Sequence, residues 1–243
     1  MLKADNLYYS YPGSRNYVIE DLSFEVRPGE AMVFVGPNGT GKSTVLSMLS
    51  GVIRPKSGDI SMQGRFGYVP QGTGLFEDMT VEDNLKFFYN MVNTQVPGRL
   101  PLGLEPHRKK KISQLSGGLA KRVSIACALA GNPDIIIFDE PIAGLDPQGR
   151  ATVTEIIRDY RNAYNATVII ISHNMEDMAM LADKLLVLNN GELVMFDTTE
   201  NVFMQGEKLR SIGLNVPIVT RVMDELRKKG IAVPENIFTV SAA

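Results

Sequence analysis

The sequence has almost no cysteine and almost no net charge, and each absence excludes a class of protein. Its one cysteine, Cys127, rules out an internal disulfide framework and is typical of a reducing compartment. The 25 lysines and arginines nearly balance the 27 aspartates and glutamates, which leaves a net charge of −2. This balance does not indicate binding through bulk positive charge, so we expect no nucleic-acid partner.

The chain also lacks a long apolar run. A membrane-spanning helix needs roughly 18 consecutive apolar residues, whereas the longest runs, Ala166–Ile171 and Ile135–Phe138, have the length of buried strands. The first residues carry charges at Lys3 and Asp5 and no apolar core, so we expect no signal peptide. If the protein acts at a membrane, another chain must cross it.

Apolar strands alternate with amphipathic helices after a β-rich start, which predicts an α/β fold. The predicted strands are Leu7–Tyr11, Leu22–Val26, Ala31–Gly36, Ile60–Met62, Phe66–Val69, Ile135–Asp139, Thr167–Ser172, Leu185–Leu188 and Leu193–Phe196. Helical periodicity runs from Lys42 to near Gly51, over Val81–Val92, after Ser116, from Asp146 onward and over Val216–Lys229. We expect a mainly parallel central sheet with an antiparallel β portion and a helical lobe inserted at about 74–131.

The run GPNGTGKS at 36–43 fits the phosphate-binding loop pattern G-x-x-x-x-G-K-[ST]. It lies between an apolar strand and a helix, where glycines let consecutive backbone amides converge on phosphate oxygens. Lys42 would reach the β- and γ-phosphates of a nucleotide, and the Ser43 hydroxyl would ligate Mg²⁺. We therefore expect a P-loop NTPase that binds its nucleotide through Gly36, Pro37, Asn38, Gly39, Thr40, Gly41, Lys42, Ser43 and Thr44.

Two adjacent carboxylates end the apolar strand at 135–139, at the sheet edge where α/β proteins hold their ligands. Asp139 is predicted to hold the water shell of Mg²⁺, and Glu140, pointing the other way, to orient and deprotonate an attacking water. Two more polar residues follow strands. Gln71 would reach Mg²⁺ or the attacking water and His173 the γ-phosphate, although each by itself is more often an ordinary loop residue.

Two further segments each allow two interpretations. The basic run His107–Lys111 is more often a solvated face, with contact to anionic lipid as the alternative. The helical spacing of Phe87–Tyr89 and Met91 favours a place in the lobe core for most of them, with an apolar docking surface as the alternative.

Taken together, the motifs resemble the ATP-binding cassette (ABC) ATPases over nearly the whole chain. They occur in the family's order: the phosphate loop, PQ at 70–71, LSGG at 115–118, IIIFDEP at 135–141, AGLD at 143–146 and SH at 172–173. The resemblance implies that Tyr11 stacks on adenine and that Asp146 contacts a partner subunit. It also implies that Ser116, Gly117 and Gly118 close over the ATP of a second cassette. A regulatory GTPase is disfavoured, because no guanine-reading [NT]-K-x-D motif is present.

The resemblance further implies a function. The expected protein is an ATPase subunit using ATP and Mg²⁺ and paired with an identical or related second ABC ATPase. It would lie at the cytoplasmic face of the cell membrane, bound there only through a separate transmembrane permease that it powers. Residues 1–211 would form the nucleotide-binding domain and 212–243 a C-terminal helical extension.

Two parts of the chain resemble different branches of the family. The last third, including Asn174–Met178, Gly213–Pro217 and Leu226–Gly230, is similar to energy-coupling-factor ATPases, which energise uptake of vitamins or of cobalt and nickel. The middle, LSGGLAKRVSIACALAG, resembles bacterial exporter ATPases, and Leu119 stands where much of the family has glutamine. We favour the first branch, because most exporter cassettes lack such an appended helix.

Two alternatives stay open. A soluble ABC protein acting on nucleic acid or the ribosome is disfavoured by the single cassette, the absence of long heptads and the slightly acidic balance. A degenerate, regulatory cassette is disfavoured by the presence of Lys42, Glu140 and His173.

Overall fold

The computed structural model describes residues 1–172 and 180–230. It divides into two compact units: one comprises Met1–Met62 and Ile171–Ala243, the other Gln63–Ile170. The strands are β1 (Leu2–Tyr9), β2 (Ile19–Val26), β3 (Ala31–Val35), β4 (Ser57–Met62), β5 (Phe66–Val69), β6 (Ile135–Asp139), β7 (Thr167–Ile171), β8 (Lys184–Asn189) and β9 (Glu192–Thr198). The helices are α1 (Lys42–Leu49), α2 (Val81–Met91), α3 (Gly117–Ala128), α4 (Pro147–Tyr164), α5 (Thr199–Phe203), α6 (Gly206–Ser211) and α7 (Ile218–Lys228), with 3₁₀ turns at Glu105–His107 and Ile112–Gln114.

The first unit contains an antiparallel sheet in the order β2–β1–β4. The first strand begins five residues before the predicted start and stops at Tyr9, so its predicted bounds were wrong. A bulge between Ala4 and Leu7 shifts the register of β1 against β2 by one residue. The buried residues are therefore even-numbered before the bulge and odd-numbered after it.

The same unit holds the strand that leads into the phosphate loop. All residues of β3 are buried, and β3 pairs in parallel with β8, which pairs antiparallel with β9. The predicted hairpin between β8 and β9 is confirmed, and its turn places Asn190 (φ 49°) and Gly191 (φ 84°) in the left-handed region that a type I′ turn requires.

The second unit contains strands in the order β5–β6–β7, with β5 and β6 parallel. Ile135–Phe138 are fully buried in β6, so this strand delivers Asp139 to the sheet edge from a rigid position. Parallel pairs in both units, the antiparallel hairpin and the covering helices confirm the predicted α/β class.

The predicted helical lobe is present in the second unit. Helices α2 and α3 share one apolar core, formed by Val81, Leu85, Tyr89, Leu100, Leu104, Ile112, Ala120, Val123, Ala126, Cys127 and Ala130. Fully burying a leucine-sized side chain stabilises a fold by about 1.5–3 kcal/mol, so this cluster contributes strongly to holding α2 and α3 together. The burial of Cys127 raises the pKa of its thiol to about 12, which keeps it protonated and unreactive.

Helix α4 begins as the sequence predicts, with Asp146 as N-cap and Pro147 in its first turn. Helix α7 matches the predicted C-terminal helix over Val216–Lys229, although it begins two residues later, at Ile218. Over residues 1–172 and 180–230, the helices are all too short or too polar to cross a bilayer.

Candidate functional site

The phosphate loop occupies the turn between β3 and α1, and close approach requires two of its glycines. A Cβ on Gly36 would collide with the backbone oxygen of Leu188. Gly41 has φ 97°, and a Cβ there would lie 2.5 Å from a methyl carbon of Ile19. At Gly36 the obstacle is backbone that cannot give way. At Gly41 the positive φ disfavours any side chain, and the backbone oxygen of Val18 would lie 3.0 Å from the Cβ.

Lys42 projects into the centre of this loop. It is buried, and its Nζ donates to the carbonyl oxygens of Gly36 at 2.7 Å and Pro37 at 2.8 Å. The Thr40 hydroxyl donates to the Pro37 carbonyl at 2.9 Å, which closes the loop from the other side. The loop therefore presents an ammonium group and the positive end of α1 at one point, while the Ser43 side chain lies exposed beside them.

Tyr11 is anchored to the same helix. Its hydroxyl is hydrogen-bonded to the Thr44 hydroxyl at 3.0 Å, and its ring meets Tyr9 edge to face with centroids 5.2 Å apart. About half of the side chain (49%) remains exposed. The structure thus holds an aromatic surface at a fixed position beside the phosphate loop, as stacking on a base requires.

In the second unit, Asp139 and Glu140 stand at the end of β6, both half buried. Burial, together with the charge and hydrogen bond of Asp139, raises the pKa of Tyr68 on the neighbouring strand β5. Glu140 has φ 48°, a left-handed conformation that costs a non-glycine residue about 1–2 kcal/mol. The regular strand conformation therefore ends between Asp139 and Glu140.

The loop after β5 carries Gln71, which is exposed. The carbonyl oxygens of Pro70, Gln71 and Gly72 all accept hydrogen bonds from Nζ of Lys121 on α3, at 2.9, 3.0 and 3.2 Å. Lys121 is only 4% exposed; its burial lowers its pKa, an effect that the nearby charge of Asp139 opposes. Sequence reasoning missed this residue, because an isolated lysine in an amphipathic helix gives no signal of its own.

The glycine-rich LSGG segment begins α3. Ser116 is the N-cap, and its hydroxyl accepts a long hydrogen bond of 3.4 Å from the amide of Leu119. Gly117 and Gly118 form the first turn, and a Cβ on Gly117 would meet no atom within 4 Å. The helix start is therefore open at Gly117, which is exposed, and this leaves room for an anion there.

A cavity of about 470 Å³ brings this segment together with the start of α4. It is lined by Ser116, Gly117, Gly118, Leu119, Arg122, Gly144, Leu145, Asp146, Gln148, Gly149 and Thr152. Two helix N-termini and one arginine favour an anionic ligand, although the Asp146 carboxylate already accepts from the Gly149 amide at 2.7 Å. The sequence-predicted Ser116, Gly117, Gly118 and Asp146 thus share one pocket.

The remaining predictions divide between the units. Tyr11 and residues 36–44 lie together in the first unit, whereas Gln71, Asp139 and Glu140 lie in the second. The position of His173 falls outside the described residues.

The two ambiguous segments are resolved in part. Within the basic run, Arg108 is bound to Glu82 at 3.3 Å and to Glu105 at 3.0 Å, while its lysines are exposed to solvent. In the aromatic stretch of α2, Tyr89 is buried in the lobe core and Phe88 packs against it. Phe87 (43%) and Met91 (67%) are exposed, so the core holds only two of the four residues.

Known proteins resemble the chain over its full length. A family model described as ABC transporter matches residues 19–143. The chain is 34% identical to the energy-coupling factor transporter ATP-binding protein EcfA2 of Clostridium tetani, over 100% of this chain and 94% of that protein. It is 35% identical to EcfA1 of Geobacillus kaustophilus, over 98% and 93%. The solved structure of cbiO1 from Clostridium perfringens, part of the ABC transporter complex cbiONQ, gives a TM-score of 0.72 at 27% identity, over 92% and 98%. The predicted resemblance, including the preference for the energy-coupling-factor branch, is confirmed.

Proposed function

The chain belongs to the ABC transporter family, and we propose that it is the ATP-binding and ATP-hydrolysing subunit that powers a separate membrane permease. The observation that carries this proposal is that two phosphate-binding devices occur in one chain. One is the closed loop around Lys42, and the other is the outward cavity at the start of α3. Both devices would be used if each nucleotide is enclosed by the loop of one subunit and the cavity of another.

In this arrangement ATP lies on residues 36–44 of one subunit with its base on Tyr11. Ser116, Gly117 and Gly118 of a second subunit meet the γ-phosphate through the hydroxyl, the amides and the positive end of α3. Asp146 lines the same cavity and would contact the other subunit from there. The two subunits close over two nucleotides and separate after hydrolysis.

Within the closed pair, Glu140 orients the attacking water and accepts its proton. We assign His173 to the γ-phosphate and Gln71 to the attacking water. Ser43, Gln71 and Asp139 offer only oxygen donors and a single carboxylate, which suits Mg²⁺ shared with phosphates and water. Bound Mg²⁺ would neutralise charge on the β- and γ-phosphates.

The permease partner follows from the relatives. Proteins named as energy-coupling factor ATP-binding subunits match the chain from end to end, and cbiO1 is part of a complex with other chains. We therefore propose uptake of a vitamin or metal ion as the process that is powered, with the chain held at the cytoplasmic face through its permease. Residues 1–211 would serve as the nucleotide-binding domain and 212–243 as its extension.

The decisive experiment compares the wild-type protein with Glu140→Gln. The variant should bind ATP as the wild type does, hydrolyse it about 100-fold or more slowly, and accumulate as an ATP-bound dimer. Glu155→Gln, on the exposed face of α4, serves as the matched control and should change neither property. Unchanged turnover in Glu140→Gln would remove Glu140 as the base.

Two further measurements test the assembly. Hydrolysis per subunit should fall on dilution, because half of each site comes from the second subunit; a rate independent of concentration would contradict the paired site. Pull-down from native membranes should recover a membrane-spanning chain. ATPase activity that DNA stimulates would instead favour the soluble alternative.

A further inference from the structure

We propose that Lys121 is a positioning residue that ties the Gln71 loop to the helix beginning at Ser116, so that the two parts of the ATPase site in this unit keep a fixed relation. The catalytic role of this contact rests on the proposed function. The contact itself lies entirely within the second unit.

The Lys121 ammonium group makes three hydrogen bonds to the loop. An ammonium group has three N–H donors, and those of Lys121 meet the carbonyl oxygens of three consecutive residues, Pro70, Gln71 and Gly72. Three hydrogen bonds from one atom fix the position of this backbone in all directions. The loop is otherwise open, since both Gln71 and Gly72 are exposed.

The burial of Lys121 indicates that these bonds are strong. A charged group that is 4% exposed needs compensation for the water it has lost, and charge-assisted hydrogen bonds to carbonyl dipoles supply it. The nearby charge of Asp139 contributes a further attraction. Removing the ammonium would leave three carbonyl oxygens without these donors, and the loop would have to move to find others.

The other end of the contact is rigid. Lys121 lies five residues after Ser116 on α3, whose apolar face is buried in the lobe core at Ala120 and Val123. A displacement of the helix start, where the other subunit's γ-phosphate is proposed to bind, is therefore passed to the backbone of Gln71. The Gln71 side chain would then reach its catalytic position only when α3 is correctly placed.

Lysine suits this task better than its usual replacements. Three carbonyls converge on one point, which a compact ammonium satisfies and a planar guanidinium does not. Methionine has a similar length and no donor, so Lys121→Met removes the hydrogen bonds with little change in volume. Lys110→Met is the matched control, since Lys110 is an exposed lysine of the same lobe.

The first test measures hydrolysis by the full-length protein as a double-mutant cycle with Gln71→Ala. Lys121→Met should lower the maximal rate by about tenfold to 100-fold and raise the Mg²⁺ concentration for half-maximal rate, with ATP affinity of dilute protein unchanged. The double variant should be no slower than Gln71→Ala alone. Losses that add in the double variant, or a Lys121→Met that matches Lys110→Met, would overturn the proposal.

The second test needs no activity. Amide hydrogen exchange over residues 70–76 should be faster in Lys121→Met than in Lys110→Met, and unchanged exchange there would overturn the proposal. If the wild type hydrolyses no ATP, the proposed function fails, while this measurement still decides the role of Lys121. If Lys121→Met does not fold, Lys121→Gln takes its place in both tests. Its shorter, uncharged side chain keeps two donors, so it should change the rate and the exchange in the same direction by a smaller amount, and no change in either would overturn the proposal.

Discussion

The cap at the start of α4 gives Asp146 a structural role besides its proposed contact with a second subunit, and substitution can separate the two. Its Oδ1 accepts from the Gly149 amide at 2.7 Å, and it is the N-cap of an 18-residue helix. Replacing such a cap by alanine costs about 1 kcal/mol, and losing its charge near the helix start about 0.3–1 kcal/mol more. We therefore expect Asp146→Ala to destabilise the protein by about 1–2 kcal/mol, or about 2–8 °C in melting temperature.

Asp146→Asn should behave differently. Asparagine caps helices about as well as aspartate, so stability should fall only by the smaller charge effect of about 0.3–1 kcal/mol. The carboxylate that faces the cavity is nevertheless lost, and the ATP-driven dimer and its hydrolysis should weaken in both variants. The assays are thermal unfolding of dilute protein and dimer formation in a Glu140→Gln background.

The control for this pair is Asp159→Ala, which removes an exposed carboxylate from the same helix and should leave melting within about 0.5 kcal/mol. If Asp146→Ala and Asp159→Ala have the same melting temperature, the capping argument fails. If Asp146→Asn dimerises as the wild type does, the carboxylate has no part in the contact between subunits.

Two further changes test the local geometry of the lobe and of the phosphate loop. Asn84 is fully buried; its Oδ1 accepts from the Phe76 amide at 2.9 Å and its Nδ2 donates to the carbonyls of Phe76 and Thr80. Asn84→Asp replaces the Nδ2 donor by a carboxyl oxygen that faces two carbonyl oxygens, and should lower the free energy of unfolding by about 2–4 kcal/mol. An unchanged midpoint in denaturant unfolding would contradict these hydrogen bonds. Gly41→Ala combines φ 97° with a blocked Cβ and should lower ATP affinity about tenfold or more by titration. Gly39→Ala, in the same loop with φ 82° and no atom within 4 Å, introduces backbone strain without a blocked Cβ, and equal affinities in the two variants would refute the role of close packing.

The sequence predicted elements well wherever their signal is local and regular. The buried runs in β3, β6 and β7 were found because fully apolar strands need no alternation to be recognised. In contrast, the start of β1 was missed because its buried residues, Leu2 and Ala4, are out of phase with Leu7 and Tyr9. The bulge that causes this shift depends on cross-strand pairing with β2, which no period-2 pattern can contain.

The same distinction applies to the site. The phosphate loop and the acidic strand end were predictable because each is a short, contiguous motif whose function lies in its backbone or in adjacent residues. Lys121 was not, since its partners are about 50 positions away and are main-chain atoms that any residue would supply. Exposure of Phe87 and Met91 was likewise missed, because helical spacing gives a face but not its width.

The cavity at Ser116 also explains why Leu119 is compatible with the proposed function. The groups that would meet a phosphate there are main-chain amides of the first turn, the Ser116 hydroxyl and the helix end, and none of them depends on the side chain at 119. The Leu119 side chain lines the cavity wall and makes it more apolar than glutamine would. Substitution of Leu119 should therefore alter how tightly two subunits close, while the proposed phosphate contact of Ser116 and the glycines should remain.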